Sequence, residues 1–228
     1  MTALTDLLTR LELRERPHDR AALRRLAETA GAPLRIAEAM AAVPRHAFVP
    51  AEAAPLAYAP SGLWLQSGAV LPAPEATVRI LSALDPQPGE RVLEYGTGSG
   101  YLTILLAQLA KEVVTVDTNQ RSGGILEVAQ LPNVTRGETT EGVFDAVLVT
   151  MPQLVFTPTL LAGARRGVFV IGPPFSTQRL LLARTAGADA TPELFDLGSI
   201  LLPASTLAYA PVSIPPPAPG SPMPLEGA

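Results

Sequence analysis

Cysteine is absent from the 228 residues, which excludes disulfides, thiolate metal centres and cysteine nucleophiles and is compatible with a reducing compartment. Histidine is nearly as scarce. His18 and His46 are the two, too few for a histidine-rich centre, and no metal site is expected. Positive charge has no surplus either: 17 Lys and Arg stand against 21 Asp and Glu, for a formal net charge of −4 and a pI near 5.3. Without a general basic field, tight sequence-independent binding to nucleic acid is not expected. No segment reaches the roughly 20 apolar residues that span a bilayer. Met1 to Arg16 mixes apolar residues with Arg, Asp and Glu and so lacks the apolar stretch of a signal peptide. These absences lead to the expectation of a soluble, cytoplasmic monomer with neither a membrane nor a nucleic-acid partner.

What the chain does have is apolar residues, 47% of the total, enough for one α/β domain with a sizeable core. Leu4, Leu7, Leu8 and Leu11, then Leu23 and Leu26, then Leu34, Ile36 and Met40 recur at helical spacing, and Pro17, Gly31 and Pro33 punctuate them into two or three short helices. Six prolines between Pro44 and Pro74, with Trp64 among them, predict a loop-rich cover. A helix is expected over Glu75 to Leu84, and Asp85-Pro86-Gln87-Pro88-Gly89 forces a turn.

The pattern then changes. Arg91 to Leu93, Val113 to Val116, Ala146 to Val149 and Gly167 to Ile171 read as strands without polar alternation, and Tyr101 to Ala110 reads as a helix. Such strands, separated by helices, imply a parallel sheet covered on both faces. The crossover from Thr118 to Asn133 contains Gly123-Gly124, so its helix should be stunted. From Ala210 the chain carries seven prolines, a composition that cannot bury a core, and a disordered or extended tail is expected. The expected organisation is therefore a helical and loop-rich cover over 1–74, a cofactor-binding domain over 75–209 and a Pro-rich tail over 210–228.

A strand ending in Glu94, then Tyr95-Gly96-Thr97-Gly98-Ser99-Gly100, then the helix from Tyr101, is a strand, glycine loop and helix unit. Its glycines let the backbone turn sharply and let a ligand approach, and the helix N-terminus presents unpaired N–H groups. A dinucleotide site wants glycine at the first, third and sixth positions, whereas here the sixth position from Gly96 is Tyr101. An acidic residue two before the first glycine suits the positively charged end of S-adenosylmethionine, whose amino group the Glu94 carboxylate can receive directly or through water. Asp117 ends the next strand roughly 20 residues on, where a carboxylate accepts both ribose hydroxyls. Tyr95 is expected beside the cofactor.

These residues resemble the protein-L-isoaspartate O-methyltransferases, which methylate the α-carboxylate of abnormal aspartyl residues in damaged proteins. Ala42-Val43-Pro44-Arg45-His46-Ala47-Phe48-Val49-Pro50 is similar to the family's pre-domain sequence, with Ala57-Tyr58 following. Pro88 to Tyr101 is similar to its cofactor motif, and Phe144 to Thr150 to its fourth strand. Ile171-Gly172-Pro173-Pro174 with Gln178-Arg179-Leu180 resembles the region after the fifth strand. The likeness covers about Ile36 to Pro203. It implies an α/β, doubly wound, mostly parallel seven-stranded methyltransferase sheet of Rossmann-like form, S-adenosylmethionine as cofactor, and isoaspartyl proteins or peptides as substrates in protein repair. By the same resemblance Glu138, in Gly137-Glu138, stands where the family has the carboxylate that receives the adenine amino group.

The chain departs from the family in its substrate loop, where Val70, Leu71 and Pro72 replace a segment that carries threonine and serine, and Pro60 stands where an acidic residue is expected. Three readings follow: an isoaspartyl methyltransferase with an altered loop, a methyltransferase with a less polar acceptor whose pocket Trp64, Val70 and Leu71 would line, and a cofactor-binding protein without turnover. No catalytic residue is assigned. His46 reads as fixing loop geometry, Arg45 and Arg179 as partners of either an acidic substrate or an ion pair, and Gly172 to Phe175 as a loop.

Overall fold

The computed structural model describes residues 16–65, 68–118, 131–140, 142–161, 164–173, 177–186 and 190–200. The helix expected around Leu4 to Leu11, the crossover helix before Asn133 and the Pro-rich tail lie outside these residues.

Five strands run parallel: β3 (Arg91–Tyr95), β4 (Glu112–Val116), β5 (Val134–Arg136), β6 (Ala146–Gln153) and β7 (Arg166–Ile171). The last two, β8 (Gln178–Arg184) and β9 (Glu193–Ile200), close the sheet as an antiparallel meander on β7, giving the order β5-β4-β3-β6-β7-β8-β9. The sheet grows one way from β3 through β4 to β5 and the other way from β6, so β3 and β6 flank a topological switch point, where open α/β sheets bind ligands at the carboxyl ends of their strands.

Apolar residues without polar alternation are buried on both faces. Val92, Val113, Ala146, Leu148, Val168, Val170, Leu180 and Leu182 point to one face, while Leu93, Val114, Val116, Val147, Val149, Phe169 and Ala183 point to the other. The first face is covered by α1 (Pro17–Thr29), α2 (Leu34–Ala42), α3 (Pro74–Leu84) and α4 (Tyr101–Leu109). Of these, α4 is buried at every position but Gln108, because it lies between the sheet and α2 and has no solvent face to present. On the second face the described cover is a short 3₁₀ turn, Pro158–Leu161. Leu23, Ile36 and Met40 of the N-terminal helices share one continuous core with Val92 and Leu105. Pro17 opens α1 at its first turn, where a missing N–H costs nothing.

The stretch from Pro44 to Pro74 is more regular than expected. Pro44 and Pro50 immediately precede 3₁₀ turns at Arg45–Phe48 and Ala51–Leu56, since the fixed φ of proline suits entry into a tight helical turn. The hairpin strands β1 (Leu63–Trp64) and β2 (Val70–Leu71) pair antiparallel, Leu63 with Leu71 and Trp64 with Val70. Two residues per strand are too few to show a period. β6 also runs beyond Val149, to Gln153, with its register shifting between those two residues. Pro152 lies within that irregular stretch, where a strand tolerates it. β8 and β9 occupy the region read only as following the fifth strand.

Candidate functional site

The glycine loop joins β3 to α4 at the switch point. Gly96 has φ +113°, and a Cβ there would fall 2.5 Å from the Met151 amide nitrogen and 2.6 Å from Thr150 Oγ1, so glycine is what lets the loop lie against β6. The Thr150 hydroxyl donates to the Gly96 carbonyl at 2.8 Å. Gly98, at φ +53°, faces the hairpin, with the Val70 carbonyl oxygen 3.4 Å from its Cβ position. Its N–H donates to Asp117 Oδ2 at 3.0 Å, tying the loop to the end of β4. Thr97 and Ser99 are buried and turn inward: the Thr97 hydroxyl is 2.7 Å from that of Thr115, and Ser99 Oγ accepts the Tyr101 N–H at 3.4 Å. The outward offering of the loop is thus largely backbone. Tyr95 is half-buried and packs on the second-face core.

Glu94 is fully buried beneath this loop. Its Oε2 accepts hydrogen bonds from Thr103 on α4 at 2.5 Å and from Thr115 on β4 at 2.6 Å, while among the described residues Oε1 has no hydrogen-bond partner. If Thr115 donates to Glu94, the Thr97 hydroxyl must donate to Thr115, so one chain of hydroxyls runs from the loop to the carboxylate. Burial pushes the Glu94 carboxyl up to about 7, against the pull of the two threonine hydroxyls, and the nearby Asp117 charge adds to the rise.

Glu94, Asp117 and Glu138 stand at the carboxyl ends of three adjacent strands, β3, β4 and β5. Glu138 is exposed. The preceding Gly137 donates to the Thr115 carbonyl at 2.9 Å and lies so close to β4 that a Cβ would meet Val114 at 3.0 Å. The acceptor-side residues separate. Val70 is half-buried and borders Gly98, whereas Leu71 is fully buried in the core. The hairpin register decides this, because it places Leu71 opposite Leu63 with its side chain inward. Pro72 is buried, and its carbonyl accepts Arg45 Nη2 at 2.6 Å. A cleft of about 240 Å³ between α1 and the start of α3 is bordered by Leu23, Tyr58, Pro60 and Pro74 and shares no lining residue with the glycine loop.

Among the described residues Arg45 pairs with no acid: it is fully buried, with its guanidinium carbon over the Tyr101 ring, 4.8 Å from the centroid. Arg179 forms an exposed ion pair with Asp196. His46 Nδ1 is 2.8 Å from the Tyr58 hydroxyl, in keeping with a loop-fixing role. Sequence reasoning missed Thr103, Thr115 and Thr150. Thr103 and Thr115 did carry a signal, as hydroxyls inside the otherwise apolar runs of α4 and β4. Thr115 is moreover aligned with Glu94 by the β3–β4 register.

A mostly parallel seven-stranded sheet with a glycine loop at its switch point and acidic residues on successive strand ends defines a Rossmann-like fold of the methyltransferase class. A solved protein-L-isoaspartate O-methyltransferase superposes with a TM-score of 0.68 over 82% of this chain and 66% of its own, at 19% identity. The family described as protein-L-isoaspartate(D-aspartate) O-methyltransferase matches residues 21–147. The protein-L-isoaspartate O-methyltransferase 2 of Shewanella sediminis is 35% identical over 169 residues, covering 68% of this chain and 69% of the relative. That of Roseiflexus sp. is 32% identical over 177 residues, covering 72% and 81%. The chain belongs to the protein-L-isoaspartate O-methyltransferase family.

Proposed function

We propose that this chain is an S-adenosylmethionine-dependent O-methyltransferase that esterifies the α-carboxylate of isoaspartyl residues in damaged proteins. The observation that carries the cofactor half of this reading is the orphaned, fully buried Oε1 of Glu94 beneath the glycine loop. An unpartnered buried acceptor is costly, and an ammonium group, directly or through a water, would satisfy it. Asp117 would receive the ribose hydroxyls and Glu138 the adenine amino group. When bound, the cofactor supplies a methyl group on a sulfonium centre. An acceptor carboxylate is already ionised at neutral pH, so the protein needs no general base and its task is to orient the two reactants. Family membership supports the acceptor half of the reading.

A second reading, a less polar acceptor, is favoured by Val70 and Pro72 in place of hydroxyl residues and by the exposed pair Leu154 and Val155 just beyond β6. Incubation with methyl-labelled S-adenosylmethionine and paired peptides, one isoaspartyl and one aspartyl, decides between them. Label should enter the isoaspartyl peptide as a base-labile ester and leave its isomer untouched. Cofactor binding without that product would turn the assignment toward the second reading or toward a protein without turnover.

A further inference from the structure

Arg45 follows Pro44 into a 3₁₀ turn, and its guanidinium has no exposed surface. Among the described residues no carboxylate lies within ion-pair distance of it, and burial pulls its pKa below the usual arginine value. A charge taken out of water without a counter-ion is costly, and an apolar side chain of similar volume would fill the space more cheaply. What guanidinium adds is a rigid fork of donors. Nε donates to the Ala57 carbonyl at 2.7 Å and Nη2 to the Pro72 carbonyl at 2.6 Å. The guanidinium carbon lies over the ring of Tyr101, the first residue of α4 after the glycine loop. The Tyr101 ring is itself held edge-on by Phe48, with centroids 5.1 Å apart.

Those three contacts join three segments that sequence keeps apart. Ala57 leads into Tyr58; Pro72 ends the hairpin whose Val70 borders Gly98; Tyr101 begins the helix that fixes the far side of the loop. We propose that Arg45 is a positioning residue that sets the height of the acceptor-side hairpin over the cofactor loop by holding the Pro72 carbonyl against the start of α4. This inference rests on the methyltransferase reading for its catalytic consequence, but the placement of the hairpin is independent of it. A lysine at this position has one point-like donor group, cannot present the fork, and leaves the hairpin loosely placed.

Trp64 is the only tryptophan of the chain and lies on β1, paired with Val70, so its fluorescence reports hairpin placement without any turnover. The experiment compares the full chain with Arg45→Lys and Arg45→Ala by acrylamide quenching of Trp64, thermal melting, S-adenosylhomocysteine binding, and kcat and KM with an isoaspartyl peptide. Arg45→Lys should melt cooperatively and keep S-adenosylhomocysteine affinity within about twofold, while Trp64 becomes more quenchable and kcat/KM falls by roughly ten- to a hundredfold, the scale of an ångström-sized misplacement. Millimolar guanidinium should restore part of both losses in Arg45→Ala, and urea at the same concentration should not. Unchanged quenching and kcat/KM in Arg45→Lys overturns the proposal. So does loss of cooperative folding or of cofactor affinity in step with activity, which makes Arg45 a general support of the fold. If the unaltered chain esterifies no isoaspartyl peptide, the functional reading fails and the Trp64 measurements still decide the positioning role.

Discussion

Glu94 serves two threonine hydroxyls with one oxygen, and among the described residues the other oxygen has no hydrogen bond. On the proposed role, Glu94→Ala and Asp117→Ala should each weaken S-adenosylhomocysteine binding by about 1–3 kcal/mol, the scale for leaving polar groups unpaired. Calorimetry giving unaltered affinity in both variants would remove the cofactor assignment. The loop glycines differ in what they tolerate. At Gly98, Gly98→Ala meets only an ordinary contact with the Val70 carbonyl, so denaturant unfolding should show a loss of about 1 kcal/mol from the left-handed backbone alone. Gly96→Ala drives a Cβ into the Met151 and Thr150 backbone region and should cost roughly 3 kcal/mol or more, together with the loop geometry. Equal losses at the two positions would contradict a close approach to β6 that is confined to Gly96.

At the scale of elements, the end of α3 is pinned to the sheet by Arg166 on β7, which grips Glu90 with both Nη groups at 2.9 and 2.7 Å and also donates to the Leu84 and Asp85 carbonyls. Burial alone would raise the Glu90 carboxyl; the Arg166 guanidinium and the Gln87 N–H together outweigh it and hold the group below the ordinary carboxylate range. Arg166→Met leaves Glu90 and two carbonyls short of donors, and chemical denaturation should show a loss of about 2–3 kcal/mol, below the figure for a fully enclosed pair because both side chains keep 18% exposure. A loss under about 0.5 kcal/mol would place the pair among ordinary surface ion pairs. Among the elements read correctly from sequence, β3, α4, β4 and β7 are buried on both sides, and their apolar runs are continuous and bounded by glycine or charge. β1 and β2 are too short to show a period, and β9 is largely exposed, with Glu193 and Asp196 among Leu194, Phe195 and Leu197, so neither pattern announces a strand. The site was legible to the same extent: Glu94, the glycines and Asp117 are consecutive with strand ends, whereas the roles of Thr103, Thr150 and Arg45 depend on partners that only the tertiary fold brings near.

For the whole molecule, the raised Glu94 carboxyl makes stability depend on pH. A folded-state value near 7 against the ordinary 4.5 means the folded chain binds more protons between these limits, so this contribution is complete below about pH 4.5 and is lost as pH rises through 7. Stability of the cofactor-free protein to denaturant should therefore improve from pH 8 to pH 6, by about 1.4 kcal/mol, and Glu94→Gln should flatten that slope. An equally steep slope in the variant would assign the effect to other groups. The arrangement of the strands also bears on how the chain first acquires its shape. Each of β7, β8 and β9 meets the strand just before it along the chain, whereas the Arg91 amide at the head of β3 waits for Asp145, 54 residues later, to supply its acceptor. Contacts between distant segments form slowly, so during synthesis the emerging β3 and glycine loop must remain without their β6 neighbour until that later strand leaves the ribosome, and a pause placed between the two would prolong their exposure to chaperones.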